Sequence, residues 1–263
     1  MLIHVNYTLD KETSTLSETD ITPDQENIED GLQASIDAGL QPILYPTVTL
    51  PNWGGSQLWD NAAGGRVTIK DPDQWFNDYT DIITTHAMLA DKYDLPYLSI
   101  GCELGTITES HAEQWNTLID GVKAIYDGPL MYSSHVDPRW NSFEPKDLVF
   151  YDKIDVIGFN LYLETNSAGN DLTHIVEAAG KPVMFTEYGF AGPNQDLAFN
   201  EFLAQWKDED LEGMFAWDLA PAFDENSAPL HYNIWETQAM DIVAAAYQEI
   251  QLDEGMAPVY KFE

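Results

Sequence analysis

The chain has 263 residues, 44% of them hydrophobic and 12% aromatic, which is material for one large domain with a sizeable core, and no apolar run approaches the ~20 residues that cross a bilayer. Its 45 Asp and Glu against 11 Lys and Arg give a formal net charge of -34, which repels nucleic acid and anionic membrane surfaces and leaves neutral or cationic ligands. Regular apolar runs with the acidic residues set between them argue against disorder. The charge is therefore read as a solvated acidic shell of halophilic type, adapted to high salt, with an ordinary acidic protein as the alternative that composition alone leaves open.

Strand-like runs lie at residues 2–8, 42–49, 97–103, 130–135, 154–160, 182–187 and 213–218, most of them separated by amphipathic stretches. That alternation predicts a parallel α/β sheet. The start, Met1-Leu2-Ile3-His4-Val5-Asn6, carries neither a basic leader nor a long apolar segment, so no signal peptide is expected and the compartment, secreted or cytoplasmic, stays open. After the first strand Thr22 is placed to cap a helix, Pro23 suits its first turn, and Gly39 stands where it ends. A long connection, Asn52–Pro72, follows the second strand; its Gly64-Gly65 matches no phosphate-binding fingerprint. A second helix is predicted over Asp73–Tyr93, where Trp75, Tyr79, Ile82, His86, Leu89 and Tyr93 recur every three or four residues, and Asp94-Leu95-Pro96 breaks it.

Two of the later strands stop on a glutamate: Tyr97-Leu98-Ser99-Ile100-Gly101-Cys102-Glu103 and Pro182-Val183-Met184-Phe185-Thr186-Glu187. A buried parallel strand reads as a continuous apolar run, and an ionised side chain at its end faces a cleft rather than the core. Two carboxylates facing one cleft are the chemistry of glycoside hydrolysis, where one carboxyl protonates the leaving oxygen and the other attacks the anomeric carbon or activates water. Ion pairs at a barrel rim are the alternative reading for either glutamate taken alone. The last long connection, Ala220–Ile234, also follows a strand, and loops after barrel strands build active sites. The alternation without a Gly-rich first turn favours a (β/α)8 TIM barrel over a doubly wound sheet, as one uninterrupted domain over residues 1–263.

The segments Ile100-Gly101-Cys102-Glu103-Leu104, Asp155-Val156-Ile157-Gly158-Phe159-Asn160-Leu161-Tyr162 and Lys181-Pro182-Val183-Met184-Phe185-Thr186-Glu187-Tyr188-Gly189-Phe190 resemble clan A glycoside hydrolases, most nearly family 113, the endo-β-1,4-mannanases. The Pro46 strand, the Trp53-Gly54-Gly55 loop, the Trp75…Tyr79 helix and the Gly213-Met214-Phe215-Ala216-Trp217 strand extend the resemblance over most of the chain. It implies a retaining enzyme that cleaves β-1,4-mannosidic bonds of mannan or glucomannan without a cofactor. By the same resemblance Glu103, ending the fourth strand, is the acid/base and Glu187, ending the seventh, the nucleophile. Two positions depart from the pattern. Cys102 stands where many members have an asparagine that contacts the sugar 2-hydroxyl. Counting back from Glu103 leaves no standard first strand at the N-terminus, so either another segment such as Ala257–Phe262 fills the gap or the natural protein is longer.

Flat rings near strand ends offer faces for a pyranose. Trp217 and Tyr162 are the leading substrate-binding candidates, Trp53 and Trp59 are loop platforms, and Asn160 and His135 are placed to hydrogen-bond substrate or Glu187. Trp75, Trp115 and Trp206 sit at helical spacing and are expected to pack internally. No metal is expected, because the histidines at 4, 86, 111, 135, 174 and 231 lack paired ligand spacing, and the acidic runs Asp208-Glu209-Asp210 and Glu29-Asp30 read as solvated faces. Cys102, the single cysteine, excludes an intrachain disulfide, and G-x-S-x-G is absent. The expected partner is a β-linked oligo- or polysaccharide, with no nucleic acid and no membrane, and a monomer is expected. A non-catalytic carbohydrate-binding barrel, or a clan A glycosidase acting on another β-glycan, remains as the alternative.

Overall fold

Each apolar run becomes a strand, and the central ones, such as Ile43–Thr49 and Leu98–Cys102, bury residues on both sheet faces. The computed structural model describes residues 1–51, 58–60, 65–136, 147–164, 172–191, 194–206, 211–216 and 238–253. The chain divides into two units. The first runs from Met1 to Ser134 and takes in the described residues 147–158; the second takes His135, Val136 and the chain from Phe159 onward.

In the first unit β1 (Leu2–Leu9), β2 (Leu16–Glu18), α1 (Gln25–Asp37), β3 (Ile43–Thr49), the short ribbon β4 (Trp59–Asp60) and β5 (Gly65–Arg66), α2 (Pro72–Lys92), β6 (Leu98–Cys102), α3 (Ala112–Lys123) and β7 (Leu130–Val136) follow in order. Its strands lie in the order β7-β6-β3-β1-β2. The β1–β3 pair is parallel from Leu2↔Ile43 to Thr8↔Thr49, as a strand–helix–strand unit requires. The edge beyond β1 is taken by β2, which runs antiparallel through Tyr7↔Glu18, Thr8↔Ser17 and Leu9↔Leu16. Three residues are too few for a sequence pattern, yet they cover the hydrogen-bonding edge of β1 on the side away from β3. The segment Ala257–Phe262, considered above for that place, lies outside the described residues.

The second unit carries most of β8 (Val156–Glu164), then α4 (Thr173–Ala179), β9 (Val183–Ala191), α5 (Gln195–Trp206), β10 (Gly213–Ala216) and α6 (Gln238–Asp253). Here the order is β8-β9-β10, with β9 and β10 parallel through Gly213↔Met184 and Met214↔Phe185.

Helix limits follow local chemistry. The cap of α1 is Asp24, whose carboxylate accepts from the Asn27 amide at 2.9 Å, and not the expected Thr22. Thr22 turns its hydroxyl to the Asn6 carbonyl and accepts the Thr19 amide instead, tying the connection back to β1. A carboxylate two residues closer to the orphan amides takes the capping place. Gly39 closes the helix at φ 77° with its amide on the Ile36 carbonyl, as expected. Asp71 caps α2, accepting from Gln74 at 3.1 Å with Pro72 in the first turn.

Aromatic clusters fill each core separately. Trp75, Phe76, Tyr79, Trp115, Tyr132 and Phe150 pack in the first unit, with Trp75 stacked on Tyr79 at 4.4 Å. Phe185, Tyr188, Phe190, Phe199, Phe202 and Trp206 pack in the second. Trp75, Trp115 and Trp206 are thus core residues, as their spacing predicts. Among the described residues no helix is long and apolar enough to cross a membrane.

Candidate active site

The end of β6 is built to turn a buried strand sharply. Pairing with β7 is regular at Leu98↔Leu130 and Ser99↔Met131, then shifts before Cys102↔Ser133. The shift centres on Gly101, whose φ of 153° side-chain-bearing residues rarely adopt; a Cβ there would stand 2.6 Å from Leu104 Cδ1 and 2.8 Å from Tyr79 Oη. Only glycine fits. Two residues on, Glu103 takes the left-handed conformation at φ 50°, uncommon for a residue with a side chain, while its amide still donates to the Ser133 carbonyl at 2.9 Å. A bulge re-aims the side chains that follow it, and such local strain gathers at functional sites. Glu103 is 7% exposed and Cys102 is fully buried beside it.

The loop that follows is held down. The Leu104 amide donates to Tyr132 Oη at 2.9 Å, the Thr108 hydroxyl to the Gly105 carbonyl, and Trp115 Nε1 to the Ile107 carbonyl at 2.9 Å. Tyr79 Oη donates to the Ile100 carbonyl at 2.8 Å. Burial pushes the hydroxyls of Tyr79 and Tyr132 well above the usual phenol range, so both stay protonated.

In the second unit Glu187 lies within β9 and is 2% exposed. Tyr162 of β8 donates its hydroxyl hydrogen to Glu187 Oε2. The ring of His135 lies nearly parallel to that of Tyr162, centroids 6.4 Å apart and planes 16° apart. Thr186 Oγ1 donates to Asn160 Oδ1 at 2.6 Å, and both residues are fully buried. β8 and β9 thus bring Asn160, Tyr162, Thr186 and Glu187 together, with His135 beside them. A carboxylate that accepts a phenolic hydrogen is held in one orientation, which suits a nucleophile.

Of the residues singled out from sequence, Glu103 lies in the first unit and Glu187, Tyr162, Asn160 and His135 in the second. Trp53 and Trp217 lie outside the described residues, as does the side chain of Trp59. Sequence reasoning did not single out Thr186, Tyr132 or Gly101. Thr186 and Gly101 stand within the glutamate motifs themselves, so their place in the chain was the available signal. Among the described residues no group of three His, Cys, Asp or Glu side chains comes together as a metal would need.

The model of Glycoside Hydrolase Family 113 matches residues 2–218. A solved GH113 β-1,4-mannanase in complex form is 21% identical, with a TM-score of 0.72 over 94% of this chain and 87% of that one. The GH113 β-mannanase AaManA of Alicyclobacillus acidocaldarius, solved with ManMIm, is 20% identical, with a TM-score of 0.73 over 95% of this chain and 86% of that one. An endo-β-1,4-mannanase from Thermotoga petrophila gives 0.63 at 12% identity, over 96% and 71% of the two chains. No curated protein matches. At these identities the likeness is one of fold, and the fold is the (β/α)8 TIM barrel expected from the sequence.

Proposed function

This chain belongs to glycoside hydrolase family 113, and from that premise we propose that it is a retaining endo-β-1,4-mannanase, one catalytic domain that hydrolyses mannan or glucomannan with Glu103 and Glu187. The observation that carries the assignment of roles is the hydrogen bond from Tyr162 to Glu187 at the heart of β9, which prepares one carboxylate for attack. Glu103, on a left-handed turn at the end of β6, is the carboxyl left to move protons.

In the first step the Glu187 carboxylate attacks the anomeric carbon as the glycosidic C–O bond breaks. The departing oxygen takes its proton from the Glu103 carboxyl. In the second step Glu103, now a carboxylate, removes a proton from water; that water attacks the anomeric carbon, breaks the glycosyl ester and restores Glu187. Two inversions retain the β configuration. The mechanism requires the two carboxyl groups to stand about 5–5.5 Å apart. Low exposure around both carboxyls strengthens each electrostatic interaction with the oxocarbenium-like transition state.

His135 and Tyr162 form the wall beside the nucleophile, and Asn160, whose side-chain oxygen accepts from the Thr186 hydroxyl, is assigned to hydrogen-bond substrate or Glu187. Trp217, Trp53 and Trp59 are assigned as sugar platforms on chemistry alone, since an aromatic face complements the apolar face of a pyranose. Specificity at the sugar 2-hydroxyl falls to groups other than Cys102, whose thiol is a weak donor.

A panel of mannan, glucomannan, β-glucan and xylan, with wild type beside Glu103→Gln and Glu187→Gln, tests the reading. Cleavage of mannan, abolished in both variants with folding intact, is expected. Mannan binding without product release, or near-normal turnover in either variant, contradicts it.

A further inference from the structure

Two buried phenol oxygens grip the backbone on either side of Glu103, and nothing in the two-step reaction above uses them. Tyr79, from α2, donates to the Ile100 carbonyl at 2.8 Å, before the turn. Tyr132, from β7, accepts the Leu104 amide at 2.9 Å, after it. Between these anchors lie Gly101 at φ 153° and Glu103 at φ 50°, two backbone conformations that side-chain-bearing residues adopt uncommonly. The two rings also form the wall that makes glycine necessary at 101, since a Cβ there would meet Tyr79 Oη at 2.8 Å and Tyr132 Cε2 at 3.2 Å.

For core filling alone, phenylalanine would serve at both positions, because the rings already pack edge-on and face-on against Trp75, Trp115 and Phe150. A buried hydroxyl is unfavourable unless it is hydrogen-bonded, and both of these bond the backbone flanking the three-residue turn that carries Glu103. The short helical turn Gly105–Glu109 follows directly, closed by the Thr108 hydroxyl on the Gly105 carbonyl at 2.9 Å. A left-handed glutamate persists only where its surroundings over-determine it.

We propose that Tyr132, together with Tyr79, is a positioning residue for the acid/base carboxyl: the two phenols lock the bulged turn so that Glu103 meets the leaving oxygen. This rests on the acid/base reading of Glu103. The proton transfer depends on placing a carboxyl to within tenths of an ångström, whereas the attack of Glu187 does not depend on that turn.

The test separates the two steps by leaving group. A 2,4-dinitrophenyl leaving group departs as a stable anion and needs no proton, whereas a sugar hydroxyl does. Tyr132→Phe, Tyr79→Phe and Glu103→Gln are compared with wild type on reduced mannopentaose and on 2,4-dinitrophenyl β-mannobioside, reading kcat/KM, which reports the first chemical step. Tyr132→Phe is expected to lose about tenfold or more on the oligosaccharide and to stay within about threefold on the dinitrophenyl glycoside, with KM for the oligosaccharide unchanged. Tyr79→Phe shows the same split, and Glu103→Gln a larger one, on the order of 100-fold or more. Equal losses on both substrates in the tyrosine variants, or no loss on either, overturn the proposal while the split in Glu103→Gln leaves the acid/base reading standing. A Glu103→Gln variant without the split overturns that reading, and the positioning proposal with it.

Discussion

The hydroxyl of Tyr162 on β8 donates a hydrogen bond to Oε2 of Glu187 on the neighbouring strand β9. One phenol thereby holds the orientation of a carboxylate that is itself 2% exposed.

Removing that donor while keeping the ring isolates its contribution. A hydrogen bond to a charged group is worth about 1.5–3 kcal/mol, so Tyr162→Phe is expected to lower kcat/KM on mannan oligosaccharides by about tenfold to 100-fold. Thermal unfolding should change little, because the ring remains. Steady-state kinetics beside a melting curve measures both, and unchanged turnover contradicts the role given to Tyr162.

Gly101 admits no side chain. An added Cβ would fall 2.6 Å from Leu104 Cδ1 at a φ that alanine resists, so Gly101→Ala is expected to destabilise the protein by about 1–3 kcal/mol, the usual range for overpacking a core. Urea unfolding reads this directly. An unchanged midpoint would mean that the bulge on β6 relaxes freely.

His86 makes stability depend on acid. Burial pushes its pKa down from 6.5 to about 4, and its Nε2 lies 3.2 Å from Tyr7 Oη on β1. As pH falls the unfolded chain takes up this proton near 6.5, whereas the folded protein resists until about 4. The unfolded state therefore binds more protons in that window, and stability drops as pH falls through it, by roughly 3 kcal/mol for such a shift. His4, also pushed down to about 4 by burial, adds a drop of the same sign. His86→Gln removes one titration, so its urea midpoint should fall less than that of wild type between pH 7 and pH 4. Parallel curves contradict the assignment.

The sequence carried the strands because their signals are local, whereas Glu187, expected to end its strand, lies inside β9, which runs on through apolar residues to Ala191. Leu98–Cys102 and Val183–Ala191 are apolar runs that any parallel sheet would recruit. The helix over Pro72–Lys92, expected from Asp73 to Tyr93, announced itself by spacing. What escaped depends on distant partners. Neither Tyr162 nor Glu187 signals in its own neighbourhood that the two will bond 25 residues apart. Tyr132 reads as one more strand aromatic until the turn at Glu103 closes over it. The capping place passed from Thr22 to Asp24 because Thr22 found the Asn6 carbonyl, a tertiary contact.

Salt is expected to stabilise this chain. A net charge of -34 repels itself, and the described ion pairs, such as Lys70–Glu12 and Lys92–Glu29, are exposed and few. Screening shortens the reach of that repulsion from ~10 Å at 0.1 M to ~3 Å at 1 M. The melting temperature should rise steadily from low to molar salt. A flat profile contradicts the reading of the acidic shell as a salt adaptation.

The central claim, a covalent route through Glu187, is tested most directly by trapping the glycosyl ester. A 2-deoxy-2-fluoro-β-mannobiosyl fluoride should inactivate the enzyme with time, because the 2-fluorine slows both formation and breakdown of the ester while the anomeric fluoride, a good leaving group, speeds formation alone, so the ester accumulates. Peptide mass spectrometry of the inactivated protein is then the measurement. One added fluoromannobiosyl group on the peptide carrying Glu187, absent from Glu187→Gln, is the predicted result. A label on another residue, or turnover with inverted products and no label, would contradict the account.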